Sequence, residues 1–284
     1  MKRIRESIMA AFLTAGAIVM LLPLAVTLTN SFMTEEEIGI NYDAIGASAE
    51  EGEYANLKLV PDMFSLAQYM IVLVEKGQFV TMFWNSAALV VPIVAGQIAV
   101  GAMAAFAFAK LRFPGRDRLF LVYIVTMLMP FQVTLVPNYL AMEWLGLLDT
   151  RWAIIWPGVF AAFGVFLLRQ FMLYIPKAYV EAAQMDGASY AYIFARIIVP
   201  MSVPGIAALS ILAFVDHWNM VEQPLIFIRN AYKQPLSIFL ATVNEQDRGV
   251  AFAASALYMA PMIFVFRYGE NELIEGIQLS GVKG

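Results

Sequence analysis

The chain has 284 residues, of which 61% are hydrophobic and 14% charged, against about 25% charged residues in ordinary soluble domains. A net charge of −4 leaves no basic footprint for nucleic acid, and the absence of cysteine excludes disulfides, thiolate metal sites and a cysteine nucleophile. With one histidine there is no imidazole cluster for a metal or for acid–base work.

Apolar runs occupy residues 8–28, 80–108, 119–141, 152–174, 197–215 and 250–268. Each is long enough to cross a hydrocarbon core about 30 Å thick as a helix. Lipid offers no partner for an open backbone, so the expected fold is an all-α membrane protein of six spans in one domain, residues 1–284. Pro92, Pro130, Pro137, Pro157 and Pro261 fall inside the runs and predict kinks, not ends.

The first run follows Lys2, Arg3 and Arg5 and exceeds the apolar stretch of about 7–15 residues in a signal peptide, so it reads as a span with the N-terminus inside. Six spans then place the C-terminus inside as well. The basic residues agree: twelve fall inside, among them Lys110, Arg112, Arg116, Arg118, Arg169 and Lys177, and six outside.

The first outer loop, residues 29–79, is long and carries nine acidic residues from Glu35 to Glu75. Near its end Ser65 reads as an N-cap, and Leu66, Tyr69, Met70 and Leu73 form an apolar stripe predicting a short helix on the membrane surface. In the second span Gly101, Ala105 and Ala109 repeat every four residues, a face that admits close helix packing. Pro114-Gly115 marks an inner turn, Gly146 a helix stop, and Asp149 or Thr150 a cap for the fourth span.

No phosphate loop, HExxH or GxSxG motif and no pair of carboxylates inside a span is present. The chain therefore reads as no enzyme, with no cofactor, metal or catalytic residue, and any nucleotide chemistry belongs to another protein. The informative stretch is the inner loop at 175–200, IPKAYVEAAQMDGASYAYIFARIIVP. Pro176 suits a first helical turn, Gly187 a left-handed helix stop and Ser189 a cap; Tyr190, Ile193, Phe194 and Ile197 line one face of a second short helix. Small Ala182 and Ala183 with Met185, beside Glu181 and Asp186, form a knob for a partner's basic cleft. Packing of the same loop on its own bundle fits the periodicity equally well.

EAA at Glu181–Ala183, then Gly187, then Ile197–Pro200 resembles the signature of membrane subunits of ATP-binding-cassette importers, with Val199 where leucine is commoner. WNSAALV, AAFAFAKLRFPGR, MLMPFQVTLVPNYL, LGLLDT, FLLRQFMLYIP, WNMVEQPLIFI and EGIQLSGVKG extend the resemblance to the sugar-uptake permeases of that family. The resemblance implies two cytoplasmic ATPases, a second, homologous permease subunit and an extracytoplasmic solute-binding protein as partners, in a cell membrane. The loop between spans four and five becomes the coupling helix, with Glu181, Ala182, Ala183, Met185, Asp186 and Gly187 at the ATPase contact.

From Ile197 to Asp216 a helix rises about 28 Å, which puts Asp216, His217, Trp218 and Asn219 near the outer end of the fifth span. Asp216, Trp218, Asn219, Glu222 and Gln223 are the candidate sugar-path residues, on the chemistry of aromatic faces and planar hydrogen-bonding groups. For Trp218 an anchoring or packing role is the commoner use, and His217 reads as a hydrogen-bonded structural group. The rival class is a secondary carrier or channel acting without an ATPase, which would require coupling charges in the spans.

Overall fold

A computed structural model describes residues 2–42, 56–242 and 247–281 and is helical throughout, with no strand among the described residues. The acidic stretch of the outer loop at 43–55 lies outside the described residues.

The long helices are α1 (Lys2–Asn30), α4 (Gln78–Lys110) and α15 (Arg248–Gly281). Between α1 and α4 lie α2 (Glu35–Tyr42) and α3 (Ala67–Met70), the latter continued by a π-helical turn. Then come α5 (Arg116–Met127), α6 (Phe131–Trp144), α7 (Trp152–Val159) and α8 (Ala162–Tyr174). The loop at 175–200 forms α9 (Lys177–Met185) and α10 (Tyr190–Ile193) and leads into α11 (Val199–Met201), followed by α12 (Val203–Trp218), α13 (Glu222–Phe227) and α14 (Leu236–Thr242).

Four stretches are long and apolar enough to span by themselves: Ile4–Asn30, Gln78–Lys110, Trp152–Tyr174 and Arg248–Glu270. The other two expected spans are bent pairs. The axes of α5 and α6 differ by 101°, and those of Tyr190–Met201 and Val203–Trp218 by 74°, so six is reached only by counting each pair as one crossing. Pro92, Pro137, Pro157 and Pro261 do lie inside helices. Pro130 does not: it stands at the N-cap of α6 with extended backbone, ψ 144°. It has no N–H to continue the ladder, and it disfavours helical geometry in the residue before it.

The chain divides into two compact units, Met1–Thr81 with Phe239–Pro261, and Met82–Ile238 with Met262–Gly284. In the first, Met33, Ile38 and Tyr42 form a small core on which Phe252 packs. Burial opposes ionisation of Glu37, yet the Asp62 N–H at 2.7 Å and the Lys58 ammonium at 3.0 Å more than offset it and hold the carboxyl below its usual range. The expected Ser65 cap is not one: Leu66 holds the N-cap position of α3 with no side-chain bond, and the Ser65 hydroxyl accepts from Ala67 N–H instead. Gln68 and Val72 are the residues turned inward, the Gln68 amide donating to Glu35 at 2.6 Å, while Leu66, Met70 and Leu73 face outward. Tyr69 of the expected stripe does not join them: its ring lies 5.3 Å from that of Phe32 and its hydroxyl pairs with the Ser31 hydroxyl at 2.7 Å.

In the second unit the small-residue face of α4 packs within the chain. Ala102, Ala105 and Ala109 join Leu168 and Met172 of α8, Val180 of α9, Ile193 of α10 and Leu209 of α12 in the largest core. Neither Asp149 nor Thr150 caps α7; Arg151 stands at its N-cap. Asp149 adopts a left-handed φ of 60° and accepts from Asn230 N–H at 3.0 Å and from Lys233 at 3.1 Å, while the Thr150 hydroxyl donates to the Leu147 carbonyl.

Candidate functional site

The turn and cap of the loop at 175–200 are built as the sequence predicts. α9 ends where Gly187 takes φ +80°, and Ala188 N–H closes on the Ala183 carbonyl at 2.9 Å. The Ser189 hydroxyl accepts from Tyr192 N–H at 3.3 Å and caps α10. One side of α9 is fastened to the bundle: Val180 is in the main core, and Ala183 and Ala188 pack against it with Phe194 and Ile197. The other side carries Glu181, Ala182, Met185, Asp186 and Gly187, all exposed, Met185 at 89%. The packing reading thus holds on one face, and the other face is exposed.

A recess of about 310 Å³ beside Glu181 and Gln184 is lined by Lys110, Arg112, Arg116 and Lys177. Glu181, in the middle of α9, therefore faces basic residues of the 110–116 segment and of its own helix's first turn. Sequence spacing showed these charges as positive-inside residues only.

The second site is a cavity of about 990 Å³ in which α4, α6, α7, α8, α12 and α13 each supply lining. Four of the five candidate path residues line it: Asp216, Asn219, Glu222 and Gln223. Trp218 does not. It is 2% exposed, stacks on Phe214 at 5.3 Å and meets Phe83 edge-on at 5.6 Å, because one residue's step along a helix turns a side chain about 100° from its neighbours. Its role is packing.

His217 lines the cavity too, its Nδ1–H donating to the Ala213 carbonyl at 2.8 Å, with its other nitrogen 3.5 Å from the Gln97 amide. Gln97 also donates to the Gly158 carbonyl at 2.7 Å. Gln97, Asn138, Phe131 and Phe163 are lining residues that the sequence reading passed over. The signal for Gln97 was present, a polar amide in the middle of an apolar span.

Fold and site together define a polytopic helical subunit with an exposed face on α9 and a cavity among its helices lined by apolar and a few polar side chains. The family model described as the inner membrane component of binding-protein-dependent transport systems matches residues 97–269. The arabinooligosaccharides transport system permease protein AraQ of Halalkalibacterium halodurans is 31% identical over 229 residues, covering 79% of this chain and 81% of the relative. The osmoprotective compounds uptake permease protein GgtD of Synechocystis sp. is 33% identical, over 78% and 76% of the two chains. In fold the chain is similar to a bacterial ABC transporter involved in the import of the acidic polysaccharide alginate, with a TM-score of 0.80 at 24% identity, over 95% of this chain and 97% of that one.

The chain belongs to the inner-membrane permease components of binding-protein-dependent ABC transport systems. It is a multi-pass inner-membrane subunit and not itself an enzyme; ATP is hydrolysed by partner subunits. Family membership implies an ATPase, a second permease and a solute-binding protein, and it sets aside the carrier acting alone.

Proposed function

We propose that this chain is one permease subunit of an ATP-driven importer of sugars or oligosaccharides, with both termini cytoplasmic. Its path is formed with a second permease that is a different chain. The relatives' names supply the cargo class, arabino-oligosaccharides for one of them, and the 12-to-6 division of basic residues supports the orientation. α9 is the coupling helix: Glu181, Ala182, Met185, Asp186 and Gly187 enter the ATPase cleft, and Ala183 ties the helix to its own bundle. The observation that carries this reading is the two-faced α9, one side packed in the core with α4, α8 and α12 and the other exposed. A helix so fastened transmits a partner's closure to the spans as a rigid body.

The test is reconstitution of the chain in vesicles with its partner permease, ATPase and solute-binding protein. ATP-dependent uptake of a neutral oligosaccharide, lost when the ATPase or this chain is left out, is the expected result. Uptake that proceeds without the ATPase overturns the reading.

A further inference from the structure

Family membership and the relatives' names leave the charge of the cargo open, and the lining that this chain contributes bears on it. Asp216 and Glu222 both contribute carboxylates, and no lysine or arginine is among the described residues that line it. The Asp216 side chain is 82% exposed. Its nearest basic group is His217 Nδ1 at 3.7 Å, whose hydrogen is directed at the Ala213 carbonyl. A cleft with low-dielectric walls focuses such charge, so the cavity holds a negative potential.

A second observation points to a ligand there. Gln223 lines the cavity at 8% exposure, and its Nε2 is buried with no hydrogen-bond partner among the described residues. A buried N–H left unpaired costs free energy that a bound acceptor recovers. A sugar hydroxyl or ring oxygen supplies that acceptor, carboxylates accept the hydroxyl protons in return, and Phe131 and Phe163 offer aromatic faces for the C–H faces of a pyranose or furanose.

We propose that this cavity is a cargo site that selects against negative charge, taking uncharged saccharides and excluding those bearing carboxylate, sulfate or phosphate, with Asp216 and Glu222 as the excluding groups and Gln223 as a hydrogen-bond donor to the cargo. The proposal rests on the reading of the chain as a sugar-importer permease. It separates this subunit by charge from importers of acidic polysaccharides that share its fold.

The absence of cysteine allows a direct measurement. Leu212, which lines the cavity and is 43% exposed, is changed to cysteine in the assembled importer with cysteine-free partners. The thiol is then reacted with the trimethylammonium-ethyl and the sulfonato-ethyl methanethiosulfonates, each rate divided by that for a free thiol in solution. The expected outcome is a cation preference of about tenfold or more, as two nearby carboxylates produce at intermediate dielectric, falling close to unity in Asp216→Asn/Glu222→Gln. An anionic reagent that reacts as fast as the cationic one, or a preference the double substitution leaves in place, overturns the charge assignment. Uptake of a neutral and of an acidic oligosaccharide by the unaltered importer is measured alongside. ATP-dependent uptake of neither overturns the importer reading instead, uptake of the acidic one overturns the charge selection, and uptake that persists at full rate through a fully labelled Leu212→Cys complex removes the cavity from the cargo path.

Discussion

Gly101 of α4 lies directly against the backbone of Gly164 in α8: a β-carbon built on Gly101 stands 3.4 Å from the Gly164 carbonyl carbon and 3.6 Å from Leu168. Backbone cannot retreat as a side-chain tip can. Alanine at 101 makes ordinary van der Waals contact and is tolerated, whereas Gly101→Leu forces α4 and α8 apart. Overpacking of this kind costs about 1–3 kcal/mol, and the expected reading is a lowered thermal midpoint of the detergent-solubilised complex for Gly101→Leu with Gly101→Ala near the parent. Equal midpoints for all three would remove the close-approach role.

The left-handed turn at Gly187 sets the angle between α9 and α10, and a β-carbon there meets nothing within 4 Å. Backbone conformation alone therefore decides what residue fits. Asn tolerates that conformation and is expected to retain most uptake. Proline fixes φ near −65° and removes the N–H that donates to the Gln184 carbonyl at 3.0 Å. Gly187→Pro is expected to insert normally and to lower ATP-driven uptake by about tenfold or more, the effect of losing roughly 1.4 kcal/mol of contact.

Glu181→Lys tests the same lever through charge. The substitution adds a cation to the ring of Lys110, Arg112, Arg116 and Lys177 and presents the wrong sign to a basic partner cleft. Membrane insertion is expected to persist while co-purification of the ATPase falls by about tenfold. Normal co-purification together with normal substrate-stimulated ATP hydrolysis would take Glu181 out of the contact.

The parts of this protein that were legible in its sequence are those set by local chemistry. Gly187, Ser189 and Gly115 each announce a turn or cap through their own backbone preferences, and Gly101, Ala105 and Ala109 announce a close face by spacing alone. Pro130 was misread as a kink, because a proline's effect on a helix depends on what packs against the freed backbone, and sequence does not carry that. Asp149 was misread as a cap because its actual partners, Asn230 and Lys233, lie more than eighty residues away. The cavity was legible only on α12 and α13; Gln97, Asn138, Phe131 and Phe163 reach it by tertiary packing.

Asp149 carries a pH dependence with a definite sign. The Asn230 N–H, then the Lys233 ammonium, hold its carboxyl below the usual 3.8. The stability it contributes is present above that value and is lost as pH falls through the lower folded one. Asp149→Asn keeps the left-handed backbone and abolishes the titration. Hydrogen exchange at the Asn230 amide, followed over about pH 2–5, is expected to accelerate on acidification beyond its intrinsic rate in the parent and to show no such step in Asp149→Asn.

Trp218 and Gln223 separate packing from cargo contact. With its ring between Phe214 and Phe83, Trp218→Ala leaves a large void and is expected to destabilise the subunit by about 3–5 kcal/mol, lowering assembled yield and thermal midpoint together. Trp218→Phe, which refills most of that space, restores both. Gln223→Leu removes a donor that has no partner among the described residues and replaces it with an apolar group of similar length. Its expected effect on the midpoint is small, since an unpaired N–H contributes no bond to lose. Its expected effect on uptake is a rise in the concentration for half-maximal rate of about five- to tenfold, the worth of one hydrogen bond of roughly 1 kcal/mol. A lower midpoint in Gln223→Leu with unchanged uptake kinetics would reverse the two assignments.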